Sequence, residues 1–356
     1  MPPEDQAPLS FPAPDLDRVH DPGHDVARQR ADGLPRVGPV APQRGAGAVL
    51  VGTASWTDPT ILEGEVFYPA GVRTPEQRLR YYAGRFPLVE VDSTYYALPT
   101  RSTAELWRQR TPDDFTFNVK AHALMTGQPS EVNRLPKLLR EALPRELAEK
   151  KRIYTKDLPP DLYDAVWAVF LDALEPLRAS GKLGAVLLQY PRWFTPTRRN
   201  LDVVLDAQRR LAEAPGGGAP GAVELRNHLW FDGKPGRAER MLAFFAEHEI
   251  PYVMVDGPQG LTSSMPPVVA VTSPHLAMLR LHGRRAATWE AAEVPTVERY
   301  RYLYDPDQLA RWVPEVADAA KSTARVHMLF NNCHGNYGTT NALEFGEAMR
   351  LASVGG

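Results

Sequence analysis

The chain has 356 residues, of which 43% are hydrophobic and 24% are charged, proportions typical of a soluble globular protein with one large domain or two ordinary ones. Its formal net charge of −2 excludes a whole-protein attraction to nucleic acid or to an anionic membrane, so any such affinity requires a local patch. The single cysteine, Cys333, excludes an intramolecular disulfide and favours a reducing, cytoplasmic location. No stretch approaches 18 uninterrupted apolar residues, so no membrane partner is expected.

The first segment, residues 1–47, is rich in Pro, Asp, Arg and Gly and shows no hydrophobic period. Prolines close to the start, between Pro2 and Pro14, exclude a long helix there. We therefore expect a disordered, Pro-rich tail over residues 1–47 that takes no part in the fold. The folded domain is expected over residues 48–350.

Short apolar runs, each ending in polar residues, recur along that domain. There are eight, at residues 48–56, 88–96, 115–122, 183–191, 222–230, 252–259, 276–284 and 326–334. Most of the gaps between them carry a helical pattern, at residues 75–86, 102–110, 197–214, 236–249 and 306–321. Eight strands alternating with helices predict a single-domain α/β fold, a TIM (β/α)8 barrel, whose chemistry lies at the C-terminal ends of the strands.

The alternative architecture is an open, doubly wound sheet. The turn after the first strand reads GTASW and not a glycine-rich dinucleotide loop, which disfavours that alternative. Two connections are unusually long, a charged insert at residues 123–160 after the third strand and the segment 257–267 after the sixth. Both follow strand C-termini, where long loops often serve as lids.

Polar residues recur with a period of two in five of the eight runs. They are Glu90, Asp92 and Thr94; Asn118, Lys120 and His122; Glu224, Arg226 and His228; Arg280, His282 and Arg284; and Asn332 and His334. Side chains two apart share one face of a strand, so each set is expected to point into the barrel. Asp256 and Gln189 join the same ring by position.

Two interpretations of this ring remain open. The acidic and basic groups could neutralise one another in a purely structural network, which is the role we expect of Glu90 and Asn118. Alternatively, the ring lines a pocket, in which Lys120, Arg226, Arg280 and Arg284 suit phosphate or carboxylate. In that pocket Glu224 and Asp256 could act as acid and base, and His282 or His334 could move a second proton.

Further residues of the predicted pocket contribute binding. His122, Asn332 and Asp92 are substrate-binding candidates, and Tyr95 and Trp56 could stack on a base or sugar or else cap the barrel rim. Glu224, Asp256, His282 and His334 could converge on Zn²⁺ or Mn²⁺. The arginines nearby disfavour a cation, and neither HExxH nor CxxC occurs, so no metal and no cofactor are expected.

Several segments together resemble the family called domain of unknown function 72, or YecE-like. They are VGTASW (51–56), FYP (67–69), VEVDSTYYALP (89–99), FTFNVKAH (115–122), LLQYPRWF (187–194), VELRNHLWF (223–231), LRLHGR (279–284) and FNNCHGNYGTTNA (330–342). The resemblance covers roughly residues 48–350 and rests on the order and spacing of the segments. It implies a TIM barrel, and it implies that the polar residues within the matched segments form the site.

The leading hypothesis is an enzyme, a hydrolase, lyase or isomerase, acting on a small phosphate-bearing or otherwise anionic substrate by Glu and His acid–base chemistry. A second hypothesis is a non-catalytic binder of single-stranded or damaged nucleic acid, whose basic insert grips phosphates and whose rim aromatics stack on bases. A third is an interaction or scaffold protein with a degenerate site.

Overall fold

Eight parallel strands form the core of the protein in a computed structural model that describes residues 22–63, 65–232 and 235–354. They are β1 (Ala48–Thr53), β2 (Leu88–Val91), β3 (Thr116–Lys120), β6 (Leu183–Gln189), β7 (Gly221–Glu224), β8 (Val253–Asp256), β9 (Ala277–Leu281) and β10 (Arg325–Phe330). Their order in the sheet is β7-β6-β3-β2-β1-β10-β9-β8. A single parallel bridge between Val223 and Tyr252 links the two outer strands, so the sheet curls into a nearly closed barrel. The prediction of a TIM barrel is confirmed.

Helices surround this barrel. They are α1 (His24–Ala31), α2 (Pro59–Leu62), α3 (Pro75–Ala83), α4 (Arg101–Gln109), α5 (Lys137–Glu141), α6 (Arg145–Ala148), α7 (Pro160–Ala173), α8 (Glu175–Ala179), α9 (Arg198–Ala212), α10 (Arg237–Glu247), α11 (Ala286–Trp289), α12 (Thr296–Arg299), α13 (Pro306–Ala310), α14 (Trp312–Ala319) and α15 (Tyr337–Val354). Helix α4 illustrates how the sequence specifies these helices. The Thr100 side chain caps its N-terminus by accepting a hydrogen bond from the amide of Thr103, and Ala104 and Trp107 form its buried face.

The register of the parallel strands decides which side chains enter the barrel. Glu90 pairs with Asn118, and Leu50 pairs with His327, and partners across a parallel pair share one face. His327 Nδ1 lies 3.0 Å from Asn118 Oδ1, and both side chains are fully buried. This pair spans the interior between two strands that are not neighbours, so it joins opposite parts of the barrel wall and is structural.

The expectation of a tail that takes no part in the fold is wrong for residues 22–47. Helix α1 packs on α15, Ala27 is fully buried, and Arg30 forms two hydrogen bonds of 2.7 Å to the carboxylate of Glu344. Val40 then forms an antiparallel bridge with Val49 of β1. An eight-residue helix between glycines and prolines is too short to show a clear hydrophobic period. Helix α1 was therefore not predicted from the sequence. Residues 1–21, with the prolines that motivated the prediction, lie outside the described residues.

The insert after β3 folds onto the barrel as a compact unit. Its ends pair as a short antiparallel ribbon of β4 (Ser130–Glu131) and β5 (Arg152–Ile153), with α5 and α6 between them. Half of its basic residues face acidic partners within the insert, as Arg134 faces Glu131 at 3.0 Å. Among the residues described, no helix is long and apolar enough to cross a membrane.

Candidate active site at the C-terminal mouth of the barrel

Arg280 of β9 lies at the centre of the barrel and joins two carboxylates. Its Nη2 is 2.6 Å from Oε1 of Glu90, and its Nη1 forms an ion pair with Oε2 of Glu224. The side chains of Glu90 and Glu224 are 0% exposed and that of Arg280 is 2% exposed. Charges removed from water to this extent are tolerated only when paired, so the deepest part of the predicted ring is a neutralised structural network.

Glu224 connects this buried network to residues at the mouth of the barrel. Arg226, two residues further along, forms an ion pair with Oε1, and Gln189 donates to the same oxygen at 2.8 Å. Burial alone would raise the pKa of Glu224, but Arg226 and Arg280 hold that pKa well below its usual range. Glu224 therefore stays ionised, and its carboxylate fixes the two guanidiniums in place.

His282 completes the cluster and is held on both ring nitrogens. Its Nε2 is 3.2 Å from Glu224 Oε1, and Asn331 Nδ2 lies 2.7 Å from its Nδ1. Burial, together with the positive charge of Arg226, lowers the pKa of His282 to about 3. The ring is therefore neutral at physiological pH. The structure thus brings Glu224, Arg226, Arg280 and His282 together as the sequence predicted.

A cleft of about 330 Å³ opens above this cluster at the C-terminal ends of β6, β7 and β9. Arg226 forms part of its wall, and the guanidinium carbon lies 5.2 Å from the centroid of the Trp289 ring, in the geometry of a cation–π contact. Two more arginines, Arg192 and Arg299, line the cleft together with a single glutamate, Glu290. The other lining residues are mostly aromatic or amide side chains: Gln128, Gln189, Tyr190, Trp193 and Tyr300.

Lys120, the last residue of β3, lies at the same mouth beside β6, a strand with which β3 pairs. Its Nζ lies 4.6 Å from the centroid of the Tyr95 ring, and Tyr95 donates its hydroxyl to Gln128 at 2.9 Å. Burial and the nearby Arg280 lower the pKa of Lys120 to about 8. Burial also raises the pKa of Asp92 to about 6, although Lys120 opposes this rise. Lys120 and Asp92 are thus groups of the mouth that titrate near neutral pH.

Asp256 and Arg284 do not join this ring, which corrects the prediction. The register pairs Val255 with Arg280, so Asp256, one residue later, points to the opposite face of the sheet. There Arg284 holds Asp256 by two hydrogen bonds of 2.9 Å. Arg284 follows Gly283, whose φ of +82° ends the alternation that would have placed Arg284 beside Arg280.

Asn332 and His334 are also displaced from the predicted position. Strand β10 ends at Phe330, and its inward face carries His327 and then Asn331, so the prediction was out of register by one residue. Asn332 instead donates to the carbonyl oxygen of Tyr302 and to Asn341, both at 2.8 Å. The ring of His334 stacks on that of His24 of α1, with 5.1 Å between centroids.

His122 and Trp56 are buried structural residues at the rim. His122 is 0% exposed, lies 3.4 Å from Ser130 Oγ of the insert, and has its pKa lowered to about 4 by burial. The ring of Trp56 is 7% exposed and packs edge-on against Trp107 of α4. These contacts favour the rim-capping interpretation for Trp56 and anchor the insert through His122.

The residues that sequence reasoning missed come mainly from the segment after β9. Residues 286–300, which include α11 and α12, fold over the mouth and place Trp289 and Tyr300 5.8 Å and 6.1 Å from the His282 ring. Ser263, in the predicted lid 257–267, donates its amide and hydroxyl to Glu290. The clustering of Trp289, Arg299 and Tyr300 in a connection without a helical period was the available signal. Within the described ranges no group of three or more His, Cys, Asp or Glu side chains is placed to hold a metal ion.

Fold and site together define a TIM-barrel protein with a polar, arginine-lined cleft at the C-terminal ends of its strands. The family model described as "Protein of unknown function DUF72" matches residues 50–355, and the chain belongs to that family. The chain is 27% identical to YunF, a UPF0759 protein of Bacillus subtilis, over 310 residues that cover 86% of this chain and 96% of YunF. It is 35% identical over 113 residues to YecE of Escherichia coli, a match that spans 30% of this chain and 41% of YecE.

Solved structures agree with this assignment. A DUF72 family protein of Enterococcus faecalis superposes with a TM-score of 0.67 at 26% identity, covering 85% of this chain and 96% of the other. A DUF72 family protein of Thermotoga maritima gives a TM-score of 0.64 at 26% identity, covering 85% of this chain and 99% of the other.

Proposed function

We propose that the protein is an enzyme acting on a small phosphate-bearing or otherwise anionic substrate that binds in the cleft above Arg226. The observation that carries the proposal is the charge of this cleft, where three arginines face one glutamate beside aromatic side chains. Arg280 and Arg226 balance the buried carboxylates of Glu90 and Glu224, so Arg192 and Arg299 leave the cleft with one positive charge more than Glu290 cancels. Guanidinium groups bind phosphate and carboxylate through paired N–H donors, and Trp289 and Tyr300 suit a flat group attached to the anion.

Arg226 is the central binding residue in this proposal. Its side chain is 12% exposed, and one side of its guanidinium is occupied by Glu224 and another by Trp289, so the group is oriented before any ligand arrives. Arg299 donates to the carbonyl oxygen of Ala291 and forms no ion pair with a described residue. Its charge is therefore available to the cleft.

The proton-transfer roles differ from those predicted for Glu224 and His282. Glu224 stays ionised and His282 stays neutral over the physiological range, because their pKa values lie far below it. Asp92, with a pKa of about 6, and Lys120, with a pKa of about 8, can exchange protons near neutral pH. We assign acid–base work to these two groups and an orienting role to Glu224.

Thermal melts in sodium phosphate and in sodium chloride of equal ionic strength test the proposal. Phosphate should raise the melting temperature of the wild type more than chloride does, because a ligand that binds only the folded state stabilises it. Arg226→Gln should lose most of this difference, whereas Arg350→Gln, on the exposed face of α15, should keep it. Equal melting temperatures of the wild type in the two salts would overturn the proposal.

A second candidate function, binding of single-stranded nucleic acid, is favoured by two exposed aromatic rings at the mouth. Trp193 is 56% exposed and Tyr96 is 50% exposed, and the Arg134 guanidinium lies 5.9 Å from the Tyr96 ring. Stacked bases and gripped phosphates would then give an affinity that falls steeply with salt. Trp193→Ala should weaken binding of an oligothymidine by roughly tenfold, the effect of losing one stacked base. Binding that is indifferent to salt and to Trp193→Ala would exclude this function.

A further inference from the structure

We propose that Lys120 is an amine nucleophile that forms an imine with a carbonyl group of the anionic substrate. This inference rests on the proposed function, since it assigns the substrate class of the same site: an anionic aldehyde or ketone. It starts from the position of Lys120, which is the last residue of β3 and points into the mouth of the barrel. TIM-barrel chemistry is carried by residues at the C-terminal ends of strands.

The Lys120 side chain is unpaired in a crowded, polar site. Acidic groups lie nearby in Glu90, Glu224 and Asp92, yet among the described residues no carboxylate comes within ion-pair distance of Nζ. Two of these carboxylates, those of Glu90 and Glu224, are already held by Arg280. The residue is partly exposed, and the proposal requires that a small ligand in the mouth reach Nζ. A lysine that served only to balance charge would be paired with one of these acids.

The surroundings of Nζ favour the neutral amine, which is the form that attacks a carbonyl. Partial burial and the positive charge of Arg280 both disfavour the ammonium form, and they lower the pKa of Lys120 to about 8. A lysine beside another cationic group is a recognised way to activate an amine nucleophile. At pH 7.5, on the order of a hundredfold more of such a lysine is neutral than of an ordinary surface lysine with a pKa near 10.5.

The proposed step balances without any further reactant. The lone pair of neutral Nζ attacks the carbonyl carbon, and a proton moves from nitrogen to the former carbonyl oxygen through Asp92 or water, giving a carbinolamine. Protonation of its hydroxyl by Asp92 lets water leave as the C=N bond forms. Asp92, whose pKa burial raises to about 6, is present in both protonation states near neutral pH and so can serve both transfers. Tyr95 lies against Nζ and limits its freedom on one side.

Trapping with sodium borohydride tests the proposal, because hydride reduces an imine to a stable secondary amine. The probes are glycolaldehyde phosphate and its neutral counterpart glycolaldehyde, and the modified lysine is identified by peptide mass spectrometry. In the wild type, glycolaldehyde phosphate should label Lys120 at least tenfold faster than the exposed Lys137 of α5. The rate at Lys120 should rise with pH and level off above about pH 8.

Matched variants separate chemistry from folding. Lys120→Arg and Lys120→Met should both abolish labelling at this position while their circular dichroism and melting temperature show a folded protein. Lys137→Arg should leave labelling of Lys120 unchanged, and Asp92→Asn should slow it. Labelling of Lys120 no faster than of Lys137 would overturn the proposal.

The failure of this inference and that of the proposed function can be told apart. If phosphate raises the melting temperature but Lys120 is not trapped, the anion site stands and the nucleophile is refuted. If both probes label Lys120 equally and Arg226→Gln has no effect, the nucleophile stands and the anion site is refuted. A preference for the phosphorylated probe that disappears in Arg226→Gln supports both.

Discussion

Arg280 and Glu90 form an ion pair at the centre of the barrel, with 2.6 Å between Nη2 and Oε1 and with side chains that are 2% and 0% exposed. Removing the cation would leave the buried carboxylate of Glu90 without an ion-pair partner among the described residues and Glu224 with Arg226 alone. Arg280→Met should therefore lower the free energy of unfolding by about 3–5 kcal/mol, the usual cost of breaking a buried pair. Arg226→Met should cost only about 1 kcal/mol, because Arg280 still pairs with Glu224 and water reaches the vacated space. Urea denaturation of both variants measures the difference, and equal losses would contradict the separation of core network from cleft.

The N-terminal segment should contribute measurably to stability through Arg30. Its guanidinium donates to the carboxylate of Glu344 and to the carbonyl oxygen of Tyr304, each at 2.7 Å, with only 19% of the side chain exposed. Arg30→Ala should lower the free energy of unfolding by about 1.5–3 kcal/mol, the range for hydrogen bonds to charged groups. Arg36→Ala, in the same segment, removes only an exposed contact of 4.0 Å to Asp114 and should have no measurable effect. Thermal melts of both variants measure these losses of stability. Equal losses in the two variants would show that α1 is loosely attached.

Three buried histidines should make the protein less stable in mild acid. Burial lowers the pKa of His122 to about 4, and those of His282 and His327 to about 3, from an ordinary value of 6.5. Between about pH 6.5 and pH 4 the unfolded chain therefore takes up protons that the folded protein does not. The free energy of unfolding is then highest above pH 6.5 and falls as the pH is lowered through this window. Asp92 and Glu315, whose pKa values burial raises, oppose this trend.

Urea denaturation between pH 7.5 and pH 4.5 measures this dependence. His122→Gln should flatten the fall, since the variant no longer has that proton to take up on unfolding. His275→Gln should leave the slope unchanged, because His275 is 71% exposed. A free energy of unfolding that stays constant between pH 6.5 and 4.5 in the wild type would contradict the account of the buried histidines.

Gly283 should be more sensitive to substitution than its backbone conformation alone explains. Gly283 and Gly127 both have positive φ, +82° and +78°, so alanine at either should cost about 1–2 kcal/mol. A Cβ at Gly283 would lie 2.6 Å from Cβ of Tyr302, whereas one at Gly127 meets nothing within 4 Å. Gly283→Ala should therefore destabilise the protein more than Gly127→Ala and also disturb Arg284. Equal melting temperatures would show that the chain relaxes around Gly283.

The strands and the inner network were predictable because both follow from a period of two. Parallel strands covered on both faces are almost wholly apolar, so Glu90, Lys120, Glu224 and Arg280 stood out and were correctly placed inward. Where the alternation ends, the prediction failed. Asp256, Asn332 and Arg284 lie at or just beyond strand ends, and a shift of one residue or one glycine with positive φ redirects each side chain.

The position of the segment 286–300 over the mouth could not be predicted, for a different reason. Trp289, Arg299 and Tyr300 belong to short helices and turns whose position depends on contacts distant in sequence, such as that between Ser263 and Glu290. Nothing in their local pattern says which way the segment folds. Asn331, by contrast, could have been predicted from the sequence. Every second residue after His327 of β10 faces inward, and this alternation selects Asn331 and not Asn332.

The anion site above Arg226 is tested most directly by isothermal titration calorimetry with inorganic phosphate at constant ionic strength. We predict that the wild type binds one phosphate per chain and that Arg226→Gln binds it at least about tenfold more weakly, which corresponds to about 1.4 kcal/mol. Arg350→Gln serves as the control and should bind like the wild type. Phosphate binding of equal strength in the wild type and in Arg226→Gln, or no binding to either, would contradict the assignment of this cleft as the substrate site.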